Sequence, residues 1–167
     1  MVRNLNFELV LADQLEEAIK LELDGYPADE AASLESFQYR QSQAGDLFLG
    51  AFEISPNVNL IGFICGTRAP GSTLTHESMS RHVPDGSSIC VHSVCVSRSH
   101  RRQGVALALL KEYIERMHKI STPKVGQILL IAHEELIPLY EKAGFELVGK
   151  SVVQHGARPW YEMRCDL

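Results

Sequence analysis

The stretch Arg101-Arg102-Gln103-Gly104-Val105-Ala106 stands between an apolar run, Ser88 to Val96, and a helical pattern at Ala106, Leu109, Leu110, Tyr113, Ile114 and Met117. The first run is apolar on both faces and reads as an interior strand. The second is strongly amphipathic. A further apolar strand, Gln127 to Ala132, follows, so the three segments form a right-handed βαβ unit with its two strands parallel. A helix N-terminus leaves backbone N–H groups without partners and carries partial positive charge, which makes the turn a ready site for phosphate oxygens. Gly104 lets a ligand approach the backbone and the small Ala106 keeps that approach open, while the arginines add charge. An ordinary strand-to-helix turn with a solvated basic cap reads from the same six residues equally well. Other nucleotide motifs fit worse: there is no Gly-x-Gly-x-x-Gly and no Gly-x4-Gly-Lys-Ser/Thr, which leaves a pyrophosphate turn of the kind used for coenzyme A.

Upstream, Asp13 and Glu16 form a candidate capping box for a helix carrying Leu15, Ala18 and Ile19 and running to about Leu23. Gly25, Tyr26 and Pro27 stop it. Asp29 as cap, Leu34 and Phe37 as a buried stripe and Gly45 as terminator predict a second helix. Leu47 to Glu53 and Leu60 to Thr67 predict an antiparallel hairpin around Ser55-Pro56-Asn57. Ala69 to Ser88 reads as loop. Downstream, Glu135 to Lys142 predicts a short helix closed by Gly144, then strands near Phe145 to Val153 and Trp160 to Cys165. The expected fold is α/β (α+β), one domain over residues 1–167 with a mixed central sheet flanked by helices.

A chain of 167 residues with 45% hydrophobic and 22% charged residues fits one ordinary globular core. The net charge of −5 argues against a nucleic-acid partner and permits a cationic substrate. No run approaches a membrane span and the start lacks a basic head before an apolar core, so no membrane partner and a cytoplasmic location are expected. The four cysteines, Cys65, Cys90, Cys95 and Cys165, have no zinc-like spacing. Reduced thiols, three of them in strands, and no metal are expected.

The segment Val94-Cys95-Val96, the turn Arg101 to Ala106 and the helix to Met117 resemble the signature region of the GNAT superfamily of N-acetyltransferases. A second landmark, Tyr140-Glu141-Lys142-Ala143-Gly144-Phe145, resembles that superfamily's helix ending in Tyr-Glu-Lys-x-Gly-Phe. Within it the chain is most similar to the arylalkylamine N-acetyltransferases, from about Phe7 onward and most tightly over Cys90 to Leu167, including Glu135 to Tyr140 and Glu162 to Leu167. Vertebrate members carry two strand histidines where this chain has Cys90 and His92. They also carry flanking phosphorylation sites for 14-3-3 proteins, absent here, so no 14-3-3 binding is expected. The likeness is to the non-vertebrate branch, whose substrates extend from arylalkylamines to polyamines.

That resemblance implies acetyl-CoA as co-substrate, a small primary amine as acceptor, no metal and a monomer. Coenzyme contacts fall on Val94, Cys95, Val96, Arg101, Arg102, Gln103, Gly104, Val105, Ala106, Leu107 and Tyr140. An aliphatic amine with a pKa of about 10.4 is almost wholly protonated at neutral pH, so the reaction needs a base, an oxyanion partner and an acid for the departing thiolate. His92 is the candidate base, on the same strand face as Cys90, which completes the catalytic set; a satisfied core histidine is the alternative. Tyr140 is the candidate acid, with plain core packing as the alternative. Backbone N–H of Val94 or Cys95 is the oxyanion candidate, by resemblance alone. Tyr26, Pro27 and Trp160 are expected to wall the amine pocket, and Glu22 and Asp24 to serve as carboxylate relays unless they are simply surface charges. The competing functions are a polyamine or protein N-acetyltransferase of the same fold, or a non-catalytic coenzyme A-binding module.

Overall fold

The computed structural model describes residues 4–120 and 122–167. Seven strands form one mixed sheet: β1 (Leu5–Leu9), β2 (Phe48–Ile54), β3 (Val58–Ala69), β4 (Ser88–Val96), β5 (Gln127–Ala132), β6 (Glu146–Lys150) and β7 (Tyr161–Asp166), in the order β1-β2-β3-β4-β5-β7-β6. Among the described residues five helices flank it: α1 (Leu15–Gly25), α2 (Leu34–Ala44), α3 (His76–Ser80), α4 (Val105–His118) and α5 (Ile137–Ala143). The expected mixed sheet with flanking helices is therefore the observed fold. Among the described strands only β4 and β5 pair in parallel, joined by α4 as the βαβ reading requires.

Both faces of the sheet are covered, which explains its near-continuous apolar strands. Helices α1 and α2 pack on β3 and α1 also on β4, and α4 packs across β2, β3 and β4. On the first face, Phe37, Phe48 and Phe63 meet at centroid distances of 5.5 to 5.7 Å. On the second, Leu109, Leu110, Tyr113 and Met117 of α4 pack with Ile89, Val91 and Ile128, and the buried Tyr113 hydroxyl donates to Leu47 O at 3.0 Å.

Several local expectations change. Strand β1 was not anticipated, and it pairs antiparallel with β2 from Leu5 opposite Glu53 to Leu9 opposite Leu49. The segment 69–88 contains α3, whose Thr75 hydroxyl accepts from Ser78 N while Ser78 Oγ accepts from Thr75 N. Asp13 does not cap α1; a 3-10 turn at Ala12–Gln14 precedes it, and Gln14 Oε1 accepts from Leu11 N. Ser33, rather than Asp29, caps α2 by accepting from Ser36 N at 3.2 Å. All four cysteines, not three, lie in strands, and all are free thiols.

Two features of β4 position the site. Its pairing with β5 covers only Ser88 to Cys90, opposite Gln127 to Leu129, after which the strands separate and a gap opens within the sheet. On its other edge, Cys65 of β3 faces Ser93 and Gly66 faces Val91, so His92 is an extra residue, a β-bulge.

Candidate active site

The turn into α4 leaves a helix N-terminus open. Gly104 precedes the helix at φ +81°, and a Cβ added there meets nothing within 4 Å. No side chain caps α4, which leaves its first N–H groups to whatever lies before them. Arg102 holds φ +60°, an uncommon conformation for a side chain of its size. Arg101 Nε donates to Val96 O at 3.2 Å, fixing the turn against the end of β4. Gly104, Val105, Ala106, Leu107, Arg101, Arg102, Val94, Cys95, Val96 and Tyr140 all border one cavity of about 580 Å³. The donor set and open backbone fit a phosphate-bearing cofactor. Gln103 stands outside it, its amide donating to Ser99 O at 3.2 Å.

A second cavity of about 610 Å³ lies under α1 and α2 and takes in Glu22, Arg40, Thr67, His92, Ser93, Tyr140 and Trp160. The two share Tyr26, Val94 and Tyr140, so a wall one side chain thick separates them.

The bulge lets the adjacent residues His92 and Ser93 both border the second cavity. His92 Nε2 lies 2.7 Å from Thr67 Oγ1, and its buried Nδ1 has no partner among the described residues. Burial, with the Arg40 guanidinium and His155 adding to it, holds the imidazole pKa well below its ordinary value of 6.5, so the ring is neutral at neutral pH. Glu22 is 2% exposed; its Oε2 accepts from Ala32 N at 2.8 Å and from Ser93 Oγ at 3.1 Å, and its Oε1 has no partner. Burial raises its carboxyl pKa, and the two hydrogen bonds and Arg40 oppose that rise. Glu22 is thus not a surface charge. It falls seven residues after Leu15 and four after Ala18, on the apolar stripe of α1, and that spacing was the signal for its burial. Arg40, three residues after the buried Phe37, was missed for the same reason, and its Nη1 is also buried without a partner.

Tyr140 is buried, with its ring edge-on to Phe145 at 5.8 Å, and burial pushes its hydroxyl far above the ordinary phenol range. The Tyr26 hydroxyl donates to Val94 O at 3.0 Å. Both main-chain groups of a strand residue point to the same edge, so Val94 N–H, rather than that of Cys95, faces the gap between β4 and β5. Trp160 borders the second cavity.

Besides Gln103, three expected residues are not brought to either cavity. Cys90 is sealed beneath Leu74 and Met79, where burial pushes its thiol up to about 11. Pro27 is exposed, its carbonyl accepting from Glu30 N and Ala31 N. Asp24, off the α1 stripe, faces Arg98 at 3.7 Å on the surface.

A mixed sheet thus parts beside an uncapped, glycine-led helix, with a polar cavity across the gap, and sequence comparison assigns the chain that carries it to a family. Residues 77–167 match the acetyltransferase (GNAT) domain family. The chain belongs to that family. It is 36% identical over 122 residues to the serotonin N-acetyltransferase of Mesocricetus auratus, covering 73% of this chain and 56% of the relative. The Homo sapiens serotonin N-acetyltransferase is 32% identical over the same length, again 73% and 56%. The chain thus spans little more than half the length of these relatives. Among solved structures, the loading GNATL domain of CurA from Lyngbya majuscula superposes with a TM-score of 0.80 at 14% identity, covering 97% of both chains. Arabidopsis thaliana NAA60 in complex with acetyl-CoA does so with 0.76 at 20%, covering 98% of this chain and 99% of that one. These two likenesses concern the fold.

Proposed function

We propose that this domain transfers the acetyl group of acetyl-CoA to a small primary amine of the arylalkylamine class. The observation that carries the reading is the shared wall of Tyr26, Val94 and Tyr140, across which an anion-binding cavity meets one holding a buried carboxylate and a neutral imidazole. The serotonin N-acetyltransferase relatives and the aromatic lining by Trp160 and Tyr26 favour an arylalkyl group.

Acetyl-CoA supplies an activated thioester whose carbonyl carbon the amine attacks, the coenzyme departing as thiol. The residues of the α4 turn hold its pyrophosphate on backbone N–H groups. The open Oε1 of Glu22 attracts the ammonium form of the amine into the second cavity. With Nε2–H donated to Thr67, His92 Nδ1 takes the amine's proton, directly or through water. Val94 N–H donates to the acetyl oxygen as charge gathers there. Tyr140 gives its proton to the departing sulfur.

His92→Ala is expected to lower kcat by about 10- to 100-fold, at or below the usual general-base contribution because Glu22 or a water chain shares the work. Because burial and Arg40 lower the imidazole pKa, the acid limb of wild-type kcat should fall below pH 6.5, with activity lost as the ring gains its proton. The variant should lack that limb. A variant with wild-type rate and pH dependence, assayed with tryptamine at saturating acetyl-CoA, would remove His92 from the mechanism and leave Glu22 as base.

A polyamine substrate is the second reading, favoured by the exposed carboxylates of Asp29 and Glu35 at the rim of the second cavity. A panel of tryptamine, phenylethylamine, spermidine and a peptide, each with acetyl-CoA, decides between them. The first reading requires the highest kcat/KM on tryptamine or phenylethylamine. Turnover of spermidine alone selects the second, and binding of acetyl-CoA without any turnover excludes both.

A further inference from the structure

Two loops border the second cavity: residues 26–33, between α1 and α2, and residues 151–160, between β6 and β7. His133, just past the end of β5, is bonded to both. Its Nδ1 lies 3.0 Å from Pro159 O in the second loop, and its Nε2 lies 2.8 Å from Glu30 Oε1 in the first. Its ring stacks on Trp160 at 3.8 Å with 28° between the planes, and Trp160 Nε1 donates to His155 O at 2.7 Å. The side chains of His133 and Glu30 are 7% and 3% exposed. The loops are also in direct contact: a Cβ on Gly156, at φ +74°, would stand 2.5 Å from Asp29 Oδ2.

We propose that the buried His133–Glu30 pair is a latch that locks the two loops together and fixes Trp160, making His133 and Glu30 positioning residues for the amine. The part concerning the amine rests on the reading of this cavity given above. A carbonyl oxygen only accepts, so His133 Nδ1 carries a hydrogen. The contact between Nε2 and the Glu30 carboxyl then holds one further proton, on one partner or the other. Loss of either side chain strands a buried polar group and releases one loop from the other. The pair also engages one oxygen of Glu30, whereas the buried Oε1 of Glu22 has no partner among the described residues. The exposed Arg158–Glu135 pair, both contacts at 2.7 Å, ties the second loop down further but in water, where such pairs hold weakly.

The test compares wild type, Glu30→Ala, His133→Ala and the double variant. Amide hydrogen exchange over residues 27–33 and 154–160, measured without substrate, should be faster by about tenfold in each single variant, in both loops at once. The double variant should be no worse than the more affected single one, because a shared contact is lost only once. With the best amine of the panel, KM for the amine should rise by about tenfold, while kcat and the acetyl-CoA Kd stay within about threefold. Should His133→Ala fail to fold, Glu30→Gln is read by the same measurements. The latch is overturned if exchange in the loop opposite the substitution is unchanged, or if the single effects add in the double variant. A fall in kcat at constant amine KM overturns the positioning role. If no amine is acetylated by the wild type, the exchange data still decide the latch, so the two readings fail separately.

Discussion

Tyr140→Phe is expected to lower kcat by about 100-fold while leaving the KM for acetyl-CoA within about threefold. The hydroxyl stands in the wall between the two cavities, and burial keeps its proton in place far above neutral pH. An acid that stays protonated through the working range can give its proton as the thiolate departs; the coenzyme thiol, with a pKa of about 8.5 by analogy with cysteine, is the stronger acid of the two, so the phenolate left behind is at once reprotonated for the next turnover. Removing one oxygen leaves the ring's packing on Phe145 intact, so ground-state binding has little reason to change. Steady-state kinetics with the best amine of the panel checks this. An equal loss in kcat and in acetyl-CoA affinity would mark Tyr140 as a packing residue.

Gly104→Val is expected to weaken acetyl-CoA binding by at least tenfold, measured by calorimetry. Two effects act together. A branched residue at φ +81° is strained, at a cost on the order of 1–3 kcal/mol, and its side chain enters the space a phosphate would use. Since none of the described residues stands within 4 Å of a Cβ there, the fold itself has room for the change. Gly104→Ala separates the two effects, adding backbone strain with far less bulk. Unchanged affinity in the valine variant would dismiss this turn as the coenzyme site.

Elements with a clear internal rhythm were legible from the chain alone. The βαβ unit around Gly104, the hairpin at Pro56 and the helix closed by Gly144 follow from periodicity and turn chemistry, and the structure has them. Strand β1 did not announce itself because Leu5–Leu9 is short, lies at the sheet edge and alternates little between buried and exposed. Helix α3 has five residues, fewer than two turns, so its capping residues were its main signal. Within the site, what depends on a residue's own element was readable, including Gly104 and, had its spacing been followed, Glu22. The His133–Glu30 contact joins positions 103 apart in the chain, and no local pattern encodes such a meeting. Cys90 was drawn into the catalytic set by its alternation with His92, but that rule fixes only the face of the strand, not the depth at which a side chain is sealed.

The extra residue at position 92 also resets the inside-outside alternation of β4. Before it, Ile89 and Val91 turn toward the α4 side; after it, Val94 and Val96 do, so odd numbers give way to even ones. Cys95 consequently joins the phenylalanine cluster on the opposite side, where an unbroken strand would have carried it away. One inserted residue thus works as a phase slip. It lets a single continuous strand serve two different cores in succession, with its irregular step placed at the proposed base.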